Sequence, residues 1–243
     1  MLGTALHEGL GHGAVALLTG TPSGVLSTVA WSSPYPDTRL TAAGGTLVNL
    51  AAALIFWLAL RGARNLSAHT RLFLYTGLAF NVFTGTGYFF FSGVTNFGDW
   101  QQVIAPMQPH WLWRALLILA GAALYYVAVR LVGGSLVRFV GVRLEDGPRF
   151  RSLTFIPYFS ALAILAAGGL LNPEGIQYVW LSALPASAGA DCGLLWMRYY
   201  IPKSTVPERG SPGIARSYAW IMVGAILSLA FVFILGRGIS VHR

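Results

Sequence analysis

Charge is scarce in this chain. Only 10% of its 243 residues are Asp, Glu, Lys or Arg, and 55% are hydrophobic. An average soluble domain carries about 25% charged residues, so this composition cannot supply the solvated surface of a water-soluble fold. Cysteine is nearly missing: Cys192 stands alone, which excludes an intrachain disulfide framework and any Cys-rich metal site. No basic leader precedes the first apolar run, so no cleavable signal peptide is expected. Acidic residues are half as frequent as basic ones, for a net charge of +8. That excess does not point to nucleic acid, because no basic stripe with interleaved aromatics is present. The arginines sit in short connecting segments, where they would hold loops at a phospholipid surface.

What the chain does have is long apolar runs, and a spanning helix needs roughly 20 such residues. Six stretches qualify, at about 40–60, 72–94, 111–132, 153–171, 176–200 and 218–235, and a marginal, Gly-rich one covers 2–18. The expected fold is therefore all-α: a polytopic transmembrane helix bundle of about six to seven spans with short connections. The segment 21–38 differs, because Gly, Ser and Pro punctuate it around the short apolar run Val25 to Trp31. It reads as a hairpin or re-entrant loop. The loops at 61–71, 130–152 and 198–216 hold most of the Arg and Lys, while those at 21–38, 95–110 and 172–175 hold almost none. By the positive-inside rule the basic loops face the cytoplasm.

Three motifs can carry chemistry. The first is His7-Glu8-Gly9-Leu10-Gly11-His12. In metalloproteases two histidines bind zinc and the intervening Glu is general base toward water. The usual ligand spacing is i, i+4; here it is i, i+5, which on an ideal α-helix sets the two side chains about 140° apart. A local π-bulge would restore a common face, and Gly9 and Gly11 ease such a distortion. The dipeptidyl peptidase III family uses the same lengthened His-Glu-x-x-Gly-His pattern. His, Glu and His are also expensive to bury in an apolar segment, which marks them as functional candidates. The second motif is Asn96-Phe97-Gly98-Asp99-Trp100. Two histidines leave zinc short of a third protein ligand, for which Asp99 is the candidate and Asp191, inside the apolar stretch 176–200, the rival. The third is Gly44-Gly45-Thr46-Leu47-Val48-Asn49. Its small residues suit close helix packing, and Asn49 offers an amide to a substrate backbone or a developing oxyanion.

Taken in order, these motifs resemble the site-2 protease group of intramembrane metalloproteases. There a first helix carries the His-Glu motif and a short β-like loop follows. The next helix has a Gly-x-x-x-Asn element, and a third contributes an Asp. The resemblance covers about residues 1–105, a catalytic core of three helices; residues 106–243 would be additional transmembrane helices packed on it. It implies Zn²⁺ held by His7, His12 and Asp99, with Glu8 as base. Gly45, Asn49 and Asn96 would lie on the substrate side. The implied substrate is a membrane-embedded or membrane-tethered protein in the lipid bilayer of a bacterial plasma membrane, its strand held by Asn49 and the edge of the 21–38 hairpin. Water would reach the site along the stretch Thr84 to Gly87. Three features depart from that family: the His spacing, the Gly98-Asp99 order, and an orientation that puts the first loop outside. An inactive relative that binds client helices and a membrane zinc amidohydrolase acting on lipids are the alternatives.

Overall fold

The computed structural model describes residues 1–62, 65–172, 177, 179–180, 185–207 and 214–243. The fold is mostly helical. The opening helix, α1, runs as α-helix over Leu2–Ala5, as π-helix over Leu6–Ala14 and as α-helix again over Val15–Leu18. The strands β1 (Ser23–Leu26) and β2 (Trp31–Ser32) follow as an antiparallel hairpin. Then come α2 (Arg39–Gly62), α3 (Ala68–Thr95), the short α4 (Asp99–Ile104), and α5 (His110–Ser135), which continues as a π-turn over Leu136–Val140. Next is α6 (Gly147–Leu170). The chain then forms a π-turn at Pro185–Gly189, the single-turn α7 (Gly193–Trp196), and a 3₁₀ turn at Met197–Tyr200. Last are α8 (Tyr218–Ala230), prolonged as a π-turn over Phe231–Leu235, and β3 (Ile239–His242).

Among the described residues, four helices are long and apolar enough to cross a membrane: Arg39–Gly62, His110–Val140, Gly147–Leu170 and Tyr218–Leu235. Their exposure supports the membrane reading. In α2, Leu47, Leu54, Ile55 and Leu58 face outward while Thr41, Thr46 and Asn49 are buried, the reverse of a soluble helix. On α8 and its continuation, Trp220, Ile221, Val223, Ile226, Leu227 and Phe233 are all exposed, an apolar surface that water would penalise and lipid accepts.

The other expected crossings differ. The run at 72–94 becomes the 28-residue α3, but buried Asn81, Thr86 and Ser92 dilute its hydropathy, and it packs against both α2 and α5 at the centre of the bundle. The run at 2–18 is short and largely π-helical. The stretch 176–200 lies partly outside the described residues; its described part is broken into short turns, as Pro185, Gly189 and Gly193 in its sequence favour. The 21–38 segment forms the expected hairpin. β1, however, also pairs antiparallel with β3, giving a three-stranded sheet in the order β2-β1-β3. The apolar alternation of Ile239–His242 is too short to announce a strand.

Hydrophobic burial does not drive helices together within lipid, so close packing must. A Cβ on Gly11 or Gly44 would overlap backbone of the facing helix, so α1 and α2 touch main chain to main chain. Gly121 gives α5 the same approach to Phe90 on α3. Between α2, α3, α5, α6 and the chain around α7 lies a core that includes Tyr75, Phe83, Val132, Leu136, Phe150 and Met197.

The ends of the bundle are chemically distinct. His69 Nε2 donates to the Ala215 carbonyl (2.8 Å), Arg71 to Phe139 (3.4 Å) and Arg198 to Leu144 (3.0 Å), which gathers the three basic loops at one end. At the other end Asn172 donates to Ser27 Oγ of the hairpin turn (2.9 Å), and β3 lies on β1.

Candidate metal centre

The π-helical run of α1 spans the whole His7-to-His12 motif. At about 4.4 residues per turn a π-helix sets i and i+5 about 50° apart, against 140° in an α-helix. The long spacing thus becomes a shared face. The two Nε2 atoms lie 3.2 Å apart, and both rings are buried, His7 at 3% and His12 at 8% exposure.

Asp99 reaches this pair from the first residue of α4. The chain leaves α3 at Asn96 in left-handed geometry (φ 53°) and turns again at Gly98 with φ 87° and ψ −167°. Those last angles are open essentially to glycine alone. Trp100 then anchors the turn: its Nε1 donates to Thr46 Oγ1 on α2 (3.0 Å) and its ring stacks on Phe89 at 4.4 Å. Asp99 Oδ2 ends 3.2 Å from His7 Nε2 and 3.4 Å from His12 Nε2.

Hydrogen bonding behind the rings fixes their tautomers. His12 Nδ1 donates to the Thr41 carbonyl at 2.7 Å, and His7 Nδ1 donates to Asn49 Oδ1 at 2.6 Å. Asn49 is itself held, because its Nδ2 donates to the Gly3 carbonyl (3.0 Å) and to Asn81 Oδ1 (2.8 Å). With both protons on Nδ1, two Nε2 lone pairs converge with Asp99 Oδ2, a buried oxygen that has no hydrogen-bond donor among the described residues. Such a cluster is repulsive unless a metal cation or a further proton on an imidazole neutralises it. Its dimensions fit a metal cation. Bonds of about 2.0–2.1 Å at tetrahedral angles place ligand atoms about 3.3 Å apart, and the three observed edges are 3.2, 3.2 and 3.4 Å. His7, His12 and Asp99 form a group that can hold a metal ion. Asp191 lies outside that group.

Gly45 makes room for it. A Cβ there would lie 2.5 Å from His7 Cε1 and Nε2 and 2.6 Å from His12 Nε2. Glu8 is also buried, and its Oε2 accepts from the Trp31 backbone N–H of β2 at 2.8 Å. His7, Glu8 and Thr84 line a cavity of about 60 Å³ that extends to Asp191. Asn96 is exposed and accepts from His110 Nε2 (2.9 Å) at the turn ahead of Asp99. Asn49 is fully buried behind His7.

Sequence reasoning missed Tyr88, whose ring stacks on His7 with centroids 4.7 Å apart. It borders both the small cavity and a larger apolar one of about 610 Å³ between α3, α5 and the chain around α7. It missed Thr41 and Asn81 as well. Only the helical phase of α2 and α3 against α1 could have revealed them. Compared with known protein families, curated proteins and solved structures, the chain matches none.

Proposed function

We propose that this protein is an intramembrane zinc metalloprotease, hydrolysing a peptide bond in a membrane-embedded or membrane-tethered protein. The observation that supports it is the triangle of two imidazole nitrogens and one carboxylate oxygen with the edges of a tetrahedral site, beside a buried glutamate. Two imidazoles and a carboxylate suit zinc and leave a coordination position open. The resemblance of residues 1–105 to the site-2 proteases points the same way.

When bound, zinc supplies Lewis-acid polarisation of the scissile carbonyl and acidification of water. The chain's own residues do the rest. Asn49 and Thr41 hold both imidazoles in the tautomer that aims Nε2 at the centre. The Trp31 N–H fixes one oxygen of Glu8, leaving the other to take a proton from the attacking water and pass it to the departing amine. β1 is paired on both sides, which leaves β2 and β3 as edges; an extended substrate strand would add at β2, the edge beside Glu8, through groups other than the Trp31 N–H. In this reading six to seven segments cross a bacterial plasma membrane. The basic end lies in the cytoplasm, and the metal centre lies toward the opposite face.

The test uses the full chain in lipid nanodiscs. Metal content is read by mass spectrometry, and cleavage is read on a panel of single-span peptides reconstituted with it. His7→Ala and His12→Ala lose zinc, while Glu8→Gln keeps zinc and cleaves nothing. Stoichiometric zinc in both histidine variants would overturn the ligand set. Zinc without cleavage by the wild type would favour a non-catalytic client binder, and turnover of a lipid amide would favour an amidohydrolase.

A further inference from the structure

We propose that Asp191 is a positioning residue of the same centre, holding a short file of water between itself and Glu8; this rests on the hydrolytic reading above. Asp191 is only 5% exposed, and its Oδ1 has no hydrogen-bond partner among the described residues. No ion pair reaches it among the described residues. A carboxylate buried within an apolar bundle is among the most expensive groups to keep there.

Its backbone is clamped on both sides. Tyr125 Oη donates to the Ala190 carbonyl (2.5 Å) and accepts from the Gly193 N–H (2.8 Å), while Tyr158 Oη donates to the Ala188 carbonyl (3.0 Å). Two phenols from α5 and α6 thus fix where this carboxylate stands, in a stretch that is otherwise broken into single turns.

Asp191 and Glu8 both line the small cavity. Thr4, Thr28, Thr84 and Ser187, all hydroxyl-bearing residues, line it too. Its volume is about 60 Å³; at roughly 30 Å³ per molecule that is room for about two waters, each of which needs two or more polar partners. Glu8, Asp191 and these four hydroxyl-bearing residues can supply such partners on a wall that also carries Val29, Phe80 and Leu165. Hydrolysis consumes one water per turnover, and an apolar bundle offers few routes for it. The file would replace the consumed molecule and keep Glu8 hydrogen-bonded on its cavity side. Residues 106–243 then help to build the site rather than only enclose it.

The experiment compares wild type, Asp191→Leu and the isosteric Asp191→Asn, zinc-loaded in nanodiscs, on one single-span peptide that the wild type cleaves. Asp191→Leu is expected to keep zinc and a KM within about threefold, with kcat about 100-fold lower, the scale of a lost acid–base element. Asp191→Asn still binds water and is expected to lose roughly tenfold. Hydroxyl labelling by X-ray radiolysis, which reports bound water, should fall severalfold at Phe80 and Leu165 on the cavity wall in Asp191→Leu but not in Glu8→Gln. Unchanged kcat and labelling in Asp191→Leu would overturn the proposal, and so would loss of zinc. If Asp191→Leu does not fold, the kcat of Asp191→Asn decides. If the wild type cleaves no peptide, proteolysis fails as a reading while the labelling still decides for or against the water file.

Discussion

Replacing Gly45 with alanine adds a single methyl group, and the structure says where it goes. The new Cβ would stand 2.5 Å from two atoms of the His7 ring and 2.6 Å from His12 Nε2. Ordinary van der Waals contact begins at 3.4 Å, so at least one imidazole must retreat by about 0.9 Å. Ligand bonds tolerate about 0.2 Å. The rings cannot simply slide back, because Asn49 and the Thr41 carbonyl hold their far nitrogens at 2.6 and 2.7 Å. One ligand must therefore leave its position, or its hydrogen bond behind the ring must break. Loss of an outer-shell partner alone costs about 10–100-fold in metal affinity. Gly45→Ala is expected to weaken zinc by at least about 100-fold, measured by competition with a fluorescent chelator on protein in nanodiscs. Gly134→Ala is the control, since a Cβ there meets nothing within 4 Å. Zinc affinity within about threefold of wild type in Gly45→Ala, with unfolding unchanged, would refute the placement of both imidazoles over α2.

Other perturbations test the supports of the centre separately. Asn49→Ala removes the acceptor for His7 and strands the Gly3 carbonyl and Asn81. It should lower zinc affinity by about 10–100-fold and stability by roughly 1–3 kcal/mol, read by chelator competition and thermal unfolding. Gly98→Val places a branched residue at φ 87°, costs of order 1–3 kcal/mol and should release zinc by swinging Asp99 away. Asn96→Gly, at φ 53°, keeps its turn and should retain the metal.

The membrane character and the helical class were legible because composition reports them directly, and the spacing of His7 and His12 with two glycines between them foretold a π-distortion that the backbone shows. Asp99 was preferred over Asp191 because it closes a polar motif at a helix end, and the structure sets it beside the histidines. The order of the small residues Gly44 and Gly45 announced close packing, but not that imidazoles would lie over one of them. That depends on the relative phase of α1 and α2, which neither helix encodes alone. Tyr88, Thr41 and Asn81 stayed hidden for the same reason: each looks like ordinary helix filling until its partner is known. β3 was out of reach because its partner β1 lies at the opposite end of the chain. The hydropathy of 72–94 suggested a lipid-facing span, whereas α3 is wrapped by α2 and α5, a consequence of tertiary packing.

The π-helix carries a last consequence. A π-bulge amounts to one residue inserted into an α-helix, so deleting that residue should return the helix to regular geometry without rotating what flanks it. Leu10 is the residue to remove. Its side chain is 54% exposed, whereas Gly9 and Gly11 face Leu26 and α2. Without it the histidines stand at i and i+4, about 40° apart on an α-helix, close to the 50° that the π-helix supplies over five residues. Glu8 remains adjacent to His7. The deletion is expected to keep zinc affinity within about tenfold of wild type, because no outer-shell change on the 10–100-fold scale is required. Inserting alanine after Leu10 pushes the second ligand to i+6, and neither helix type can then restore a shared face; that variant should lose zinc. If the deletion abolishes zinc binding while the protein still folds, the π-helix is doing more than correcting phase, and Gly9 and Gly11 must be placing the rings through the backbone itself.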